Sequence, residues 1–369
     1  NGLMFVFIPA RLAADNVAPW VSGAMIAAMA FGGIIGCMGT GYLVRRVGHA
    51  RTFAAVAAII NLSVMVILVF DQPLAWAISR GVYGMAIAGL FIVAESWLND
   101  ACDNAWRGRV ISAFYTGYVL AIGLGGFCLK FISLHGIGAP AIALFCTTLA
   151  ILPVSLTRLP SPPPPAAVHI AVRAVWNISP IGLVGLMTVG GLTLLVQGFA
   201  PIYTAASGYG KDDIGLLMLL MQFGMLAIQM PLGALSDRID RRYVLILATL
   251  IVIGAGSVAT QVDTAAFVAI VLVFGIWAGA TEAIFAVASA HANDRADPQY
   301  YVSLTTTLLV AWSISGFILP IIATALTPVF GPQAFMYVAI FTAACFGLFV
   351  AYRTAQRPPV PPSDQEPYQ

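Results

Sequence analysis

The sequence predicts an all-α membrane protein with twelve transmembrane helices, arranged as two pseudo-symmetric six-helix bundles. Hydrophobic residues make up 60% of the 369 residues and charged residues only 9%, and the mean hydropathy is +0.93. A soluble domain carries roughly 25% charged residues, so most of this surface does not face water. Apolar runs of about 20 residues, long enough to cross the core of a bilayer, recur along the whole chain.

An internal repeat supports the division into two bundles. The charged turn Gly233–Arg242 has a weaker copy at Gly41–His49, and an offset of 192 residues (233 − 41) superposes Arg46 on Arg238. The chain is therefore one six-helix module written twice. The same offset superposes Phe7 on Phe199, Pro9 on Pro201, Gly23 on Gly215, Met29 on Met221, Phe31 on Phe223 and Gly32 on Gly224, and with a drift of two residues Asn99-Asp100 on Asn293-Asp294.

The apolar runs define the helices in order. The first run, from Gly2 to about Asp15, corresponds to the longer seventh run, about Ile178–Ala205, so we expect helix 1 to be missing most of its first half. Helix 2 is rich in Gly and Ala, as close helix contacts in lipid favour. We expect the other helices near Trp20–Val44, Thr52–Phe70, Leu74–Leu98, Val110–Leu134, Ala139–Leu156, Asp212–Leu235, Tyr243–Gln261, Thr264–His291, Val302–Leu326 and Ala334–Tyr352.

A proline-rich segment joins the two copies. Pro160–Pro165 has five prolines in six residues, which favours extended polyproline backbone over helix. We therefore expect an N-terminal bundle at residues 1–157, a linker at 158–176 and a C-terminal bundle at 177–353. Residues 354–369, which contain two further proline pairs, are expected to form a disordered tail.

The distribution of arginine predicts the orientation in the membrane. Thirteen of the seventeen Lys and Arg residues follow even-numbered helices or lie in the linker and tail. Positively charged loops stay in the cytoplasm, so we expect a multi-pass protein of a bacterial-type inner membrane whose linker and C-terminus are cytoplasmic. The thirteen are Arg45, Arg46, Arg51, Arg107, Arg109, Arg158, Arg173, Arg238, Arg241, Arg242, Arg295, Arg353 and Arg357.

The sequence disfavours several other classes of protein. A net charge of +2 spread over many loops forms no basic stripe for nucleic acid. The five cysteines are expected to be packing residues rather than disulfide partners or metal ligands. The sequence has no phosphate-binding loop, nucleophile elbow or Cys/His cluster. We therefore expect a monomeric non-enzyme without a cofactor, whose partners are a small-molecule substrate, protons and the lipid bilayer.

Two parallel six-helix halves joined by a cytoplasmic linker resemble the major facilitator superfamily. Asp237-Arg238 with Arg241-Arg242 is similar to the family's loop motif G-x-x-x-D-R-x-G-R-R, with Asp240 in place of the usual glycine. The first copy has Arg45 where the motif has Asp. Further resemblances are carried by Arg80-x-x-x-Gly84 in helix 4, by Gly117 with Gly123-Leu-Gly125-Gly126 in helix 5 (without the usual proline), and, for the YcaD-type branch, by Glu95-Ser-Trp-Leu-Asn99 followed by Arg107-Gly108-Arg109.

The resemblance implies alternating access, in which the two halves rock about a site near the bilayer midplane. It also implies that the charged turns after helices 2 and 8 help to close the inner gate. Glu95 lies about 22 Å along helix 4 from Arg80, near these turns, and we expect it to join the gate rather than the substrate site. The expected gate residues are Arg45, Arg46, Glu95, Arg107, Asp237, Arg238, Arg241 and Arg242, with Arg46 or Arg107 as the partner of Glu95.

Glu282 is the clearest candidate for a functional charge inside the membrane. It lies well inside apolar helix 10, between Thr281 and Ala283. An ionisable residue at that depth is costly and usually pairs with another group or lines a water-filled path. We interpret it as a proton-coupling or cation-binding carboxylate. The alternative is a structural partner for one cation or backbone group.

Other polar and aromatic side chains complete the expected substrate cavity. Arg80 could attract an anionic substrate, or it could bond helix carbonyls or extend toward the outer surface. The remaining candidates lie on helices that reach a central cavity in this fold, and they suggest a partly apolar pocket for an organic molecule. They are Tyr115, Tyr118, Gln197, Gln222, Trp277 and Trp312.

The function predicted from these features is a proton-coupled secondary active transporter of a small organic solute. Two alternatives remain open. The missing first-copy Asp and helix 5 proline leave room for a non-transporting assembly factor or receptor of the same fold. A copper or other metal importer is the second alternative, since thioethers four residues apart on one helix face could bind Cu(I), although Met also fills irregular packing. The methionine pairs are Met25 with Met29 and Met221 with Met225.

Overall fold

A computed structural model describes residues 1–102, 104–156, 170–296 and 301–356, with side chains at 99–101, 104–105, 107–108 and 301–302 outside the description. Within these ranges ten stretches are long and apolar enough to cross a membrane, and the last of them, Ser303–Gln356, contains two helices. The helices are α1 (Gly2–Ala14), α2 (Pro19–Val47), α3 (His49–Val69), α4 (Pro73–Ala101), α5 (Asn104–Phe127), α6 (Gly138–Leu156), α7 (Val172–Ile178), α8 (Pro180–Ala206), α9 (Lys211–Ser236), α10 (Arg241–Ala259), α11 (Phe267–Asn293), α12 (Tyr301–Phe330) and α13 (Ala334–Gln356).

The structure confirms the predicted helical membrane fold and corrects several boundaries. The predicted helix near Val110–Leu134 begins earlier and ends at Phe127, after which Cys128–Phe131 forms a 3-10 helix. Helix α13 continues to Gln356, so the prediction that a disordered tail begins at residue 354 is wrong. The proline run Pro160–Pro165 and residues 357–369 lie outside the described residues.

The short helix α7 lies at the end of the segment that the sequence predicts as linker. The chain leaves helical geometry at Ser179, whose hydroxyl accepts a hydrogen bond from the Gly182 N–H at 3.0 Å and so caps α8. Pro180 follows as the first residue of α8, where a missing N–H costs nothing. The ring of Trp176 lies 6.3 Å from that of Phe349, which places α7 against α13.

The internal repeat is preserved in the helix packing, with α1–α6 in one bundle and α8–α13 in the other. Gly32 of α2 crosses α4, where a Cβ atom would come within 1.8 Å of the Gly81 carbonyl oxygen. Its repeat partner Gly224 of α9 crosses α11, where a Cβ atom would lie 2.8 Å from the Gly275 Cα. Only glycine allows two backbones to approach so closely, so equivalent glycines fix equivalent crossings in the two bundles.

The two bundles meet through a pseudo-symmetric pair of helix contacts, α2 against α12 and α9 against α5. Gly23 of α2 faces Thr324 of α12, and its repeat partner Gly215 of α9 faces Gly126 of α5. In both cases a side chain on the glycine would collide with the neighbouring helix or come within 3.0 Å of it. The same feature of the repeat therefore closes both sides of the interface.

These contacts lie toward one end of the molecule. We call the end that carries the α2–α3 and α9–α10 turns, with Arg45, Arg46 and Arg238, the arginine-rich end, and the other the opposite end. Gly23 and Gly215 lie in the first turns of their helices, at the opposite end. A cross-bundle polar contact further toward the arginine-rich end joins Cys37 Sγ and Ser313 Oγ at 3.9 Å.

The lateral surface of the bundles is apolar. Large hydrophobic side chains such as Phe145 and Leu156 on α6, and Phe341 and Leu348 on α13, are exposed by roughly 70% or more of their surface. Contiguous exposure of this kind is rare on soluble monomers and is favourable against lipid. This surface is therefore suited to contact with lipid.

Lys211 joins the two bundles at the opposite end. Its ammonium group, at the start of α9, donates hydrogen bonds to the carbonyl oxygens of Lys130 at 2.9 Å and Ile132 at 2.8 Å. These carbonyls lie at the end of the 3-10 helix that follows α5, where unsatisfied carbonyl groups attract cations. Lys211 therefore holds the bundles together at the opposite end.

Replacing Lys211 by Met should favour a conformation in which the opposite end opens. The variant keeps an apolar stem but removes two charge-assisted hydrogen bonds, for which about 1 kcal/mol, or roughly a fivefold change in population, is expected at a half-exposed site. Distances between spin labels at Gln72 and Asp263, in a background without native cysteines, measure the shift. Lys130→Met is the matched control, because it leaves the Lys130 carbonyl acceptor in place. Identical distance distributions for K211M and the unsubstituted chain would contradict this role.

Candidate functional site

Glu282 lies between the two bundles near the middle of α11, about 17 Å from Asn293 at the helix end. Its side chain is half-buried, and one carboxylate oxygen accepts a hydrogen bond from the Thr193 hydroxyl at 2.9 Å. Thr193 is itself near the middle of α8. Within the described residues Glu282 forms no ion pair, so a neutral hydroxyl is the partner that the chain gives to this carboxylate.

Two tyrosines of α5, in the other bundle, lie within electrostatic reach of Glu282. They are Tyr115 and Tyr118. The Tyr115 hydroxyl also donates a hydrogen bond to a Glu95 carboxylate oxygen at 3.2 Å. Tyr115 therefore stands within electrostatic reach of two carboxylates, Glu95 of the N-terminal bundle and Glu282 of the C-terminal bundle.

Phe91 forms the centre of an aromatic cluster beside these groups. Its ring centroid lies 5.1 Å from that of Tyr118, 5.4 Å from that of Phe114 and 5.7 Å from that of Tyr115. Sequence reasoning missed Phe91. The signal that could have found it is its position four residues before Glu95 on α4, which puts both side chains on one helix face.

Arg80 is almost completely buried within the N-terminal bundle. Its guanidinium lies 4.6 Å from the centre of the Tyr83 ring and donates to the Met29 sulfur at 2.6 Å. Only 5% of Arg80 is exposed, so little of it is accessible to a solute. The described contacts of Arg80 are thus to an aromatic ring and a sulfur. Its two expected roles, attracting an anionic solute or bonding helix carbonyls, stay predictions.

A pair of amides connects α8 and α9. The Gln222 side chain donates to the Gln197 amide oxygen at 2.9 Å, and Gln197 in turn donates to the Met225 sulfur at 3.5 Å. Gln222 is 1% exposed, and Gly123 of α5 leaves the space for it, since a Cβ there would lie 3.0 Å from the Gln222 side chain. Gln197 is half-buried and Gln222 is part of the packing between bundles.

The hydrogen bonds of the predicted methionine pairs are to other residues, not between the two methionines of a pair. Met29 accepts from Arg80 and Met225 from Gln197, while Met25 and Met221 are buried in the core. A Cu(I) site needs several thioethers around one point, and these contacts give no support to one. Among the described residues there is also no group of three or more His, Cys, Asp or Glu side chains arranged to hold a metal ion.

The two tryptophan candidates differ in their surroundings. Trp277 is fully buried in the C-terminal bundle, with ring centroids 5.8 Å from Phe335 and 5.9 Å from Phe274 in stacked geometry. The Trp277 side chain thus has no accessible surface through which it could contact a substrate in this conformation. Trp312 is half-buried on α12 and packs against the core, with its backbone next to Gly190 of α8.

Two of the arginines predicted for the inner gate, Arg241 and Arg242, form ion pairs within the C-terminal bundle. Arg241 pairs with Asp294 at the end of α11 at 2.7 Å, and both side chains are 1% exposed. Asp240 caps α10 by accepting from the Arg242 N–H at 3.0 Å, and it also accepts from the Arg242 side chain at 2.9 Å. Burial acts to raise the pKa of Asp240, but the bonds from Arg242 outweigh it and hold that pKa below its usual range.

The remaining gate residues are spread over the arginine-rich end. Four of them have exposed side chains. Glu95 is half-buried and accepts a hydrogen bond from Tyr115, and the side chain of Arg107 lies outside the described residues. The predicted pairing of Glu95 with Arg46 or Arg107 stays a prediction. The exposed gate residues are Arg45, Arg46, Asp237 and Arg238.

Sequence reasoning missed His49, the repeat partner of Arg241 under the 192-residue offset. Like Arg241 it is 1% exposed, and its ring nitrogen lies 3.1 Å from the Ser96 hydroxyl of α4. Each bundle therefore buries a polar nitrogen-bearing side chain at this equivalent position, where the helix after the charged turn begins. The signal was present in the repeat, but the change from Arg to His concealed it.

A cavity of about 250 Å³ lies away from these groups, at the opposite end between α1, α2 and α8. Pro9, Val17, Pro19 and Ile202 contribute to its mostly apolar wall. It contains none of the predicted site residues. The chemistry that the chain places at mid-depth is therefore the group around Glu282 and Tyr115.

Two repeated helical bundles with polar side chains at mid-depth between them define a membrane transporter of the two-bundle class. Comparison with known families agrees. The family model of the Major Facilitator Superfamily matches residues 181–368, just over half of the chain, and the chain belongs to this family.

Relatives match almost the whole length. The MFS-type transporter YcaD of Salmonella enteritidis PT4 is 24% identical over 356 residues, covering 96% of this chain and 92% of the relative. YcaD of Shigella flexneri serotype 5b is 25% identical over 361 residues with the same coverage. A crystal structure of the nucleoside transporter NupG superposes with a TM-score of 0.74 over 96% of both chains at 13% identity, which shows the shared fold.

Asp240→Asn should destabilise the C-terminal bundle. Arg242 is 3% exposed and would lose its carboxylate partner, so we expect the free energy of unfolding to fall by about 3 kcal/mol. Because the folded pKa of Asp240 is depressed, its contribution is present above about pH 4 and is lost as the pH falls through that lower pKa. Thermal unfolding in detergent measures the difference from neutral to acid pH.

Asp71→Asn is the control for this prediction, since the Asp71 side chain is 88% exposed and only loosely paired with Arg11 at 3.8 Å. It should change stability by less than about 0.5 kcal/mol. If D240N were as stable at neutral pH as D71N, the Asp240–Arg242 pair would not be stabilising the bundle.

Proposed function

We propose that the chain is a secondary active transporter that couples the movement of a small organic solute to protons by alternating access. The observation that supports this is the position of Glu282. It is a half-buried carboxylate at mid-depth in one bundle, within electrostatic reach of Tyr115 and Tyr118 of the other. A group whose neighbours belong to both bundles changes its surroundings whenever the bundles move.

The direction in which the site faces follows from the arginines. If the arginine-rich end faces the cytoplasm of an inner membrane, as the positive-inside rule requires, then the contacts at Gly23 and Gly215 and the hydrogen bonds of Lys211 close the outer side. This conformation then presents the site around Glu282 to the cytoplasm. The opposite, outward-facing conformation requires these contacts to separate.

The side chains of the site suit an organic solute. Tyrosine hydroxyls, the Gln197 amide and the rings around Phe91 supply hydrogen bonds and apolar surface together. The likeness to NupG is one of fold at 13% identity, so nucleosides are not inferred as substrates. The methionine contacts favour packing over the import of copper.

Glu282 carries the coupling proton in this proposal. A carboxylate held in apolar surroundings by one neutral hydroxyl can exist as the neutral acid at modest cost, and as the anion only where water or a cation reaches it. Loading the proton from one side of the membrane and releasing it on the other links the proton gradient to the movement of the bundles.

Glu282→Gln should separate exchange from accumulation. The amide imitates the protonated acid but cannot release a proton, so exchange of substrate across the membrane should persist at saturating solute concentration while accumulation driven by a pH gradient should fall to background. The measurement is uptake into proteoliposomes with and without an imposed pH gradient, for a solute first found by its thermal stabilisation of the purified protein.

Two outcomes would count against the proposal in different ways. Gradient-driven accumulation at the level of the unsubstituted chain in E282Q would leave Glu282 as a structural acid. A chain that keeps the fold but serves as an assembly factor or receptor would show neither exchange nor accumulation of any stabilising solute, with or without the substitution.

A further inference from the structure

We propose that the site around Glu282 binds an organic cation, with an ammonium group between the Glu282 carboxylate and the aromatic cluster of Phe91, Phe114, Tyr115 and Tyr118. The inference rests on the proposed transport function for its physiological role, but binding itself does not depend on transport. It goes beyond a small organic solute by naming the charge and the shape of the group that is recognised.

The charge at the site is negative. Glu282 is half-buried near Tyr115, and within the described residues it has no cationic partner. Tyr115 has a single hydroxyl proton, which it gives to Glu95, so it cannot also donate to Glu282. The carboxylate of Glu282 can therefore be neutralised by a proton or by a cation that enters from outside.

Arg80 does not supply that cation. Its guanidinium lies 4.6 Å from the centre of the Tyr83 ring and donates a hydrogen bond to the Met29 sulfur. Only 5% of the Arg80 surface is exposed. An anionic solute would need this charge to be accessible. The group that is accessible is a carboxylate, which repels an anion and attracts a cation.

The rings distinguish an organic cation from a metal ion. Four aromatic rings with centroid separations of 5.1–5.7 Å offer several faces and edges beside the carboxylates. Aromatic faces attract ammonium groups, whose attached carbons also gain apolar contact. For a metal ion, by contrast, the described residues include no group of three or more His, Cys, Asp or Glu side chains arranged to hold it.

The location makes such binding sensitive to conformation. Glu282 belongs to α11 of the C-terminal bundle, and the aromatic cluster belongs to α4 and α5 of the N-terminal bundle. A cation held between them contacts both bundles at once. The same ligand therefore links its own binding to the relative position of the bundles, as a transported solute must.

Binding to the purified full chain in detergent tests the inference without a transport assay. Three probes share a phenylpropyl group and differ in charge: phenylpropylamine, which is cationic at neutral pH, the neutral phenylpropanol and the anionic phenylpropanoate. Isothermal titration calorimetry should show binding of the amine at least tenfold tighter than binding of the alcohol or the acid. Equal or tighter binding of the alcohol or the acid, or no binding of the amine, would overturn the inference.

Two substitutions locate the binding. Glu282→Gln should weaken binding of the amine by about a hundredfold, since a buried charge pair is lost, and should leave binding of the alcohol unchanged. Phe91→Leu should weaken binding of the amine by about three- to tenfold, which is the range expected for the loss of one cation–π contact. The controls are Asp71→Asn, which removes an exposed charge, and Phe341→Leu, which removes a ring that is 72% exposed on the lipid-facing surface of α13. Amine binding that is the same in E282Q and D71N, or in F91L and F341L, would place the cation elsewhere.

Counterflow in proteoliposomes separates this inference from the proposed function. Exchange of a neutral or anionic solute, with no binding of the amine, would leave the transporter intact and refute the organic cation. Binding of the amine with the expected loss in E282Q, but without exchange of any solute, would support the site and refute transport.

Discussion

A carboxylate at mid-depth in a bilayer has no bulk water to solvate it, and the neutralisation of Glu282 is the constraint on which the space between the bundles depends. The chain offers one hydroxyl, that of Thr193, and no cation among the described residues. That partner is enough for a neutral acid and too little for an anion. The site is therefore incomplete without a proton or a ligand, and this incompleteness gives it the means to respond to both.

The rest of the fold is arranged to keep that one group at the interface. Glycines at equivalent positions, Gly32 and Gly224, lock α2 onto α4 and α9 onto α11, so each bundle is rigid around its own crossing. A second equivalent pair, Gly23 and Gly215, brings the bundles together at the opposite end. Rigid bundles that touch at one end can move as bodies about the site, because the tight crossings lie inside the bundles and the looser, partly polar contacts lie between them.

The fold was predictable from the sequence because its signals are local and repeated. Hydropathy identifies the helices, and the offset of 192 residues pairs Gly32 with Gly224, which lie at equivalent close helix crossings in the two bundles. The errors fall where local signals compete. The sequence is apolar as far as Leu134, yet α5 ends at Phe127 and a separate 3-10 helix follows it. Lys211, 79 residues or more away in sequence, binds carbonyl groups at the end of this 3-10 helix, and such a tertiary contact cannot be read from the local sequence.

The candidate site was only partly predictable, since depth can be read from sequence but direction cannot. Glu282, Tyr115 and Tyr118 were found from polarity inside apolar helices, and the structure brings them together. Trp277 satisfied the same criterion, but it points into a stack with Phe335 within its own bundle. Phe91 was missed because an aromatic residue in an apolar helix carries no polarity signal, and its importance arises from three rings that α5 places around it.

The two copies agree where packing is set and differ where the chemistry lies. Under the 192-residue offset Gln197 corresponds to Phe5 and Gln222 to Ala30. With the drift of two residues that applies to α4 and α11, Glu282 corresponds to Ala88 and Arg80 to Phe274. A polar group that merely stabilised a helix crossing would be expected in both copies, because the crossing occurs in both. The polar groups occur once, so the duplicated fold does not require them, and the cost of burying them must be offset by what they do together at the interface. The asymmetry of the site within a symmetric scaffold is therefore itself an argument that the site acts on a ligand rather than on the fold.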